Sequence, residues 1–414
     1  GATGLAYQIG ASAWWWVGSA GIGCLILAFT VGPKIWWLAE RYNFYTVGDF
    51  LEKRYNRSVR AVIALMLWWG TLSILAGQLI AIAWILNVVA GLSKPVGCLI
   101  AGVITITYFA AGGLVSAAWV NLVQLCVKMS GFILAVPVAL AAAGGFEKVQ
   151  AQLSTRTAPG YFHLAGIGWP STIGYLLLLA PAFIVSPGLL QKLYGARDQK
   201  AVAWGVALNA LALLLFAFLP VILGSVAAAQ FPGLENRELA LPTLMTRLLP
   251  FWLGIWALAA VFSAELSSAD AILFMLSTSL VKDLFQTFLR PDAKDEQMLK
   301  LSRMTAIGAG ATGVILAISL PSIITALSIF YWVVSVALLM PLVVGIYSTR
   351  PGSTAALAAI LISVGAALFI QLFTSGQGLW GIPPVAIGIG ISAAVMFGGM
   401  LKKESKVESR KSKV

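Results

Sequence analysis

Residues 262–283 read FSAELSSADAILFMLSTSLVKD. They lie in an apolar stretch from Pro250 to Lys282, longer than the about 20 residues that cross a bilayer. Within it stand Glu265, Ser267, Ser268 and Asp270. A carboxylate at the bilayer centre costs on the order of 3 kcal/mol even on the lenient insertion scale, so such groups face a bundle interior or a wet cavity and mark ion or solute paths. On a helix Ala264, Ser267 and Ser268 fall at i, i+3 and i+4 and share one face. Two hydroxyl oxygens and a nearby main-chain carbonyl are hard ligands, suited to a small alkali cation.

The composition sets the class. The 414-residue chain is 60% hydrophobic and 10% charged, against about 25% charged in soluble domains. The expectation is an all-α, multi-pass protein of the cell (inner or plasma) membrane, with the lipid bilayer as a partner. A net charge of +12 does not indicate nucleic acid, because 21 of the 27 Lys and Arg fall on one side of the expected spans. That asymmetry is the positive-inside rule. It makes the tail KKESKVESRKSKV (402–414) cytoplasmic. Cys24, Cys98 and Cys126 lie in spans as free thiols, without metal-ligand spacing. There is no cleavable signal peptide, and the chain begins in a Gly-rich segment without an initiator Met.

Taken in order, residues 1–9 are too short to span and read as the outer end of a helix whose start is missing. Full spans are expected at about 11–38, 60–90, 95–110, 118–143, 169–190, 199–228, 250–282, 299–319, 323–347, 353–374 and 382–401, eleven by length and hydropathy. The triplet WWW at 14–16 reads as an interfacial aromatic belt. Residues 40–60 form a charged inner connector, 112–124 a short inner re-entry, 144–168 an outer loop holding the lone, solvated His163, and 283–303 a charged inner loop. Gln78 stands inside the second full span, as a helix contact or a solute ligand. Asn121, Gln124 and Lys128 make one polar stripe at i, i+3 and i+7, with Lys128 about 10 Å deeper than Asn121 at 1.5 Å per residue. The span at 169–190 contains Pro181 and ends in Ser186-Pro187-Gly188. A missing amide donor breaks the ladder, tolerated in membranes where the freed groups line a cavity or are re-satisfied. This interruption and the broken entry at 1–9 lie five helices apart, the pattern of an inverted-repeat transporter.

At this point the chain resembles the sodium:solute symporter family, whose members have the leucine-transporter fold. YTVGDFLEKRY (45–55) is similar to the family's Tyr-Thr-x-x-x-Phe-Leu-Glu-x-Arg-Tyr inner loop. GGLVSAAWVNLVQ (112–124) is similar to its Gly-Gly…Trp-Thr-Asp-x-x-Gln segment. SPGLLQKLYGARD (186–198) resembles the stretch built on Gln-Arg-x-x-x-Ala-Lys, and residues 263–285 resemble its Ala-x-x-Ser-Thr/Ser-x-x-Ser signature. The resemblance implies a five-plus-five inverted repeat, with residues 1–143 as the first repeat, 168–347 as the second, and 348–414 as two peripheral helices and a basic tail. It implies a sodium ion held by the Ala264 carbonyl and the Ser267 and Ser268 hydroxyls. The family's two further ligands would precede residue 1, so an N-terminally truncated member is expected. Asn121 stands where the family often has Asp, Lys192 where it has Arg, and Glu265 where it has an apolar residue. The stretch LLLLAPAFIVS (176–186) lacks the Asn and Tyr of sugar-transporting members. Ala182 and Phe183 would wall the solute pocket, which speaks for a small carboxylate, an amino acid or another compact solute.

Three ionisable groups, Lys128, Glu265 and Asp270, fall inside spans. One reading makes them structural ion pairs. The other makes Lys128 a tethered monovalent cation that replaces sodium and couples transport to protons, as a lysine on this helix does in related transporters. The expected function is cation-coupled symport of a small-molecule solute by alternating access, with no organic cofactor and no catalytic residues. The reading of another class is a solute-sensing membrane receptor. Hydrolysis is excluded because no nucleophile, His and acid converge. Oligomeric state is not set by these residues.

Overall fold

The computed structural model describes residues 1–111, 114–290, 295–374, 376 and 378–401. Gly112 and Gly113 of the expected re-entry and the basic tail 402–414 lie outside these residues. Among the described residues the architecture is helical, with one isolated β-bridge between Leu379 and Ile382. Ten described helical stretches are long and apolar enough to cross a membrane, and Lys94–Phe109 is a shorter apolar one.

The chain begins with α1 (Ala2–Ile9), which stops at Gly10. Gly10 has φ +61°, ψ −137°, a backbone region that only glycine enters cheaply. A tight turn, Gly10–Ala13, leads into α2 (Trp14–Phe29). The expected span 11–38 is not one helix. Thr30 (φ −118°, ψ −81°) ends α2, with its hydroxyl on the Ile26 carbonyl at 2.6 Å. A separate amphipathic helix, α3 (Val31–Tyr42), follows, with Pro33 in its first turn, where no amide donor is needed.

The inner connector folds into α4 (Val47–Arg54), started by a capping box in which Thr46 and Asp49 satisfy each other's backbone amides. Asn56 then caps the long α5 (Arg57–Ala90). Arg60, at the base of α5, reaches back to Asp49 (3.1 Å) and Glu52 (2.7 Å) on α4. Next come α6 (Lys94–Ala111) and α7 (Leu114–Ala142). Residues 114–124 are therefore the first turns of α7, because nothing between Leu114 and Pro137 interrupts the amide ladder.

The outer loop carries an amphipathic helix, α8 (Phe146–Ser154). His163 is exposed, as expected. The loop is tied down by the Tyr161 hydroxyl on the Ala6 carbonyl (2.8 Å) and by Ser12 on the His163 carbonyl (3.1 Å).

The interrupted span is α9 (Trp169–Ile184) followed, across Val185 and Ser186, by α10 (Pro187–Tyr194). Proline at the first position of α10 is pre-shaped for a helix start. The buried Ser335 donates to the Leu178 carbonyl at 2.8 Å, in the turn that Pro181 weakens. After α11 (Gln199–Phe216) and α12 (Phe218–Gln230), a short helix α13 (Ala240–Arg247) precedes α14 (Phe251–Thr278). The helix then continues in wider π-type turns over Ser279–Leu289, so much of the charged inner loop is helical. The rest are α15 (Asp295–Ser319), α16 (Ile323–Val333), a π-type segment at 334–338, α17 (Leu339–Tyr347), α18 (Ser353–Phe373) and α19 (Pro384–Leu401).

Two packings matter for the site. The face of α14 carrying Ala269, Ile272, Leu273 and Leu276 is buried with Leu72–Ala83 of α5 and with parts of α6 and α15. On another side α14 meets α7, so closely at Gly131 that a Cβ there would overlap the Ala260 Cβ. Trp256 of α14 also donates to Ser130 of α7 at 3.0 Å.

Candidate cation site and solute pocket

The polar residues of α14 divide by helical phase. Ala264, Ser268, Met275 and Ser279 fall on one stripe at i, i+4, i+11 and i+15. Met275 and Ser279 line a small cleft between α4, α5, α10 and α14, which Thr46, Gly48, Thr71 and Gln191 also line. Ser268 is exposed and Ala264 half-buried on this stripe, about two turns before Met275, where the cleft begins. In this structure the Ser268 hydroxyl donates to the Ala264 carbonyl at 2.9 Å. Ser267, one residue back, points about 100° away and is half-buried. Two of the three expected ligands, Ala264 and Ser268, are thus adjacent, and Ser267 flanks them.

Glu265 sits at the centre of the buried α14 face, flanked in phase by Val261, Ala269 and Ile272, all of which are buried. Its carboxylate is within electrostatic reach of Lys128 on α7 and of Glu238. Lys128 is half-buried, on the α7 face that also holds Gly131 and Gln124. It lies within electrostatic reach of Glu265 and of Lys192 on α10. Among the described residues no contact ion pair and no hydrogen bond joins Lys128 to Glu265, Ser267 or Ser268. Gln124 is buried, at 8% exposure, and its Oε1 has no partner. The Asn121 side chain lies outside what the structure describes. Asp270 is half-buried and within electrostatic reach of Tyr108 on α6. It is not brought to the Lys128–Glu265 pair.

The expected pocket residues are placed as follows. Ala182 is buried at 1% exposure in the core with Val185 and Cys24. Phe183 lies with its ring 5.5 Å from that of Tyr331 on α16. Gln78 is half-buried on α5, and no hydrogen bond from its amide is found among the described residues. Phe183 belongs to an aromatic box that sequence reasoning missed. Trp16 of α2 is buried, with its ring 5.9 Å from Tyr175 of α9 and 6.1 Å from Tyr331. The WWW triplet is therefore divided: Trp15 faces the outer loop, donating to the Leu164 carbonyl at 2.9 Å, while Trp16 turns inward. The available signal was phase, since consecutive residues on a helix cannot share one face.

A model described as the sodium:solute symporter family matches residues 1–363. The chain is 27% identical over 407 residues to the sodium/pantothenate symporter of Escherichia coli (strain K12), covering 92% of this chain and 82% of that protein. It is 22% identical over 366 residues to the sodium/glucose cotransporter of Vibrio parahaemolyticus, covering 80% and 67%. A structure of a Na⁺-coupled sialic acid symporter, substrate-bound and outward-open, superposes with a TM-score of 0.74 at 17% identity, over 98% of this chain and 90% of that one. The fold is the one these transporters share, and the match over most of the chain gives the family: this protein belongs to the sodium:solute symporter family.

Proposed function

We propose that this transporter carries a compact, carboxylate-bearing solute together with one sodium ion, bound between the Ala264 carbonyl and the Ser268 hydroxyl with Ser267 beside them. The reading is carried by the adjacency of the Ala264 carbonyl and the exposed Ser268 hydroxyl, 2.9 Å apart, on a helix otherwise packed against α5 and α7. The solute would sit in the box of Trp16, Tyr175, Phe183 and Tyr331, whose hydroxyls and apolar rings suit a small, partly apolar acid. Residues 1–143 and 168–347 act as the two inverted repeats, the spans after 348 are peripheral, and the tail faces the cytoplasm. A cation bridging the repeats shifts the population toward the state that binds it better.

The test is uptake into proteoliposomes of labelled pantothenate, with choline and glucose as comparisons, under separately imposed sodium and proton gradients. Sodium-driven uptake abolished by Ser268→Ala supports the reading; uptake indifferent to sodium overturns it. The second reading, Lys128 as the coupling cation, is favoured by its place beside Glu265 on the face of α7 turned to α14. It requires uptake driven by a proton gradient alone and lost in Lys128→Ala.

A further inference from the structure

The Lys128 neighbourhood has a mismatch of donors and acceptors. The ammonium carries three donors and no acceptor, and it is hydrogen-bonded to nothing among the described residues. Two acceptors lie around it, each without a donor. One is the Gln124 Oε1, buried and unpaired, one turn away on the same face of α7, where i and i+4 side chains are neighbours. The other is the half-buried Glu265 carboxylate on α14, within electrostatic reach. A buried acceptor left without a donor is costly, and a flexible four-carbon stem can serve one acceptor or the other.

We propose that Lys128 has two seats, the Glu265 carboxylate beside the cation site and the Gln124 side-chain carbonyl away from it, and that Gln124 is the positioning residue that takes the ammonium when a metal cation arrives. The proposal rests on the cation-site reading above for the second half of that sentence only. In the Glu265 seat the ammonium lies near the Ala264/Ser268 face and repels an incoming cation. In the Gln124 seat it clears that face and leaves the Glu265 charge to the cation. The other charged groups facing the pair are Lys192 on α10 and Glu238 before α13. Lys192 disfavours a second positive charge nearby.

The experiment reads the rate at which an amine-specific reagent modifies Lys128 in the purified protein, followed by mass spectrometry, in KCl and then in NaCl. Either seat holds the protonated, unreactive form. In KCl, Gln124→Leu and Glu265→Leu should each accelerate labelling only slightly. The double variant should accelerate it by about tenfold, the factor expected when a charge-assisted hydrogen bond of about 1.5 kcal/mol is lost. An unchanged rate in the double variant, or the full acceleration in Glu265→Leu alone with none added by Gln124→Leu, overturns the two seats. Gln124→Glu keeps an acceptor and must label no faster than the unaltered protein. Faster labelling would mean the site had merely loosened, and the proposal falls. Changing KCl to NaCl should then accelerate labelling in Gln124→Leu but not in the unaltered protein; equal acceleration in both removes Gln124 as a seat. If NaCl changes neither, the sodium-site reading fails while the two seats stand on the KCl result.

Discussion

The hydroxyl of Ser268 donates to the carbonyl of Ala264 at 2.9 Å, so the two oxygens proposed to share a cation are joined by a hydrogen bond. A serine bonded back to the carbonyl four residues earlier contributes little to helix stability and slightly bends the helix. Turning the hydrogen away exposes two oxygen lone pairs in one direction. Ser268→Ala should therefore leave the thermal midpoint in KCl within about 0.5 kcal/mol of the original, the scale of a surface substitution, and abolish the rise in midpoint produced by NaCl. Thermal unfolding in detergent, with the two salts compared, checks both halves.

Arg54 closes the inner end of α17. Its Nη2 donates to the Ser348 carbonyl at 2.8 Å and the Pro351 carbonyl at 3.0 Å, and its Nε reaches the Gly345 carbonyl at 3.2 Å. Gly345 and Ser348 are among the carbonyls that the end of α17 leaves unsatisfied, and Pro351 lies in the following turn. Arg54→Ala should cost about 2–3 kcal/mol, the range for hydrogen bonds to a charged group. Arg54→Lys should recover less than half, since an ammonium lacks the planar fork. Denaturation midpoints of the three proteins decide it.

At Gly131, α7 comes against the Ala260 side chain and the backbone of Trp256 and Ala257 on α14. Gly131→Ala should destabilise by about 1–3 kcal/mol through overpacking. Because the Lys128 face of α7 is held to α14 by this contact, the variant should also lose sodium-driven uptake at a temperature where it is still folded. Uptake and unfolding measured on one preparation separate the two effects.

Burial pushes the Tyr161 hydroxyl up to about 12, from about 10 in a model peptide. A folded-state value raised above the unfolded one favours folding at low pH. The contribution is complete below pH 10 and is lost as pH climbs toward 12. Over that interval the unaltered protein should lose stability faster than Tyr161→Phe, which cannot ionise. Below pH 10 the variant should be the less stable, lacking the hydrogen bond to Ala6. Thermal midpoints from pH 8 to pH 11.5 give the sign.

Much of the architecture was legible because bilayer physics is unforgiving. The polar set on α14 and the Pro181 to Pro187 interruption stood out against apolar surroundings, and both fall where the chain breaks or opens. What hydropathy hid was direction. The break at Thr30 lies inside an unbroken apolar run, so α2 and α3 read as one span. The charged run after Lys282 read as a loop, yet Lys, Asp, Leu and Gln are compatible with helix, and the turns continue to Leu289. Ser267 and Ser268 shared a face by spacing, but packing leaves Ser268 exposed and Ser267 half-buried. The unpaired Gln124 carbonyl is a property of the assembled helices and has no signature in composition.

The inward turn of Trp16 gives this molecule its own optical probe. Of the 15 tryptophans, Trp37, Trp69, Trp169, Trp204, Trp252, Trp256 and Trp380 lie on the outside and emit from lipid, detergent or water whatever the protein carries. Trp16 is walled by Tyr175 and Tyr331, in the box assigned to the solute. Arrival of cargo should alter the emission of this indole, and the change should vanish in Trp16→Phe while the background glow persists.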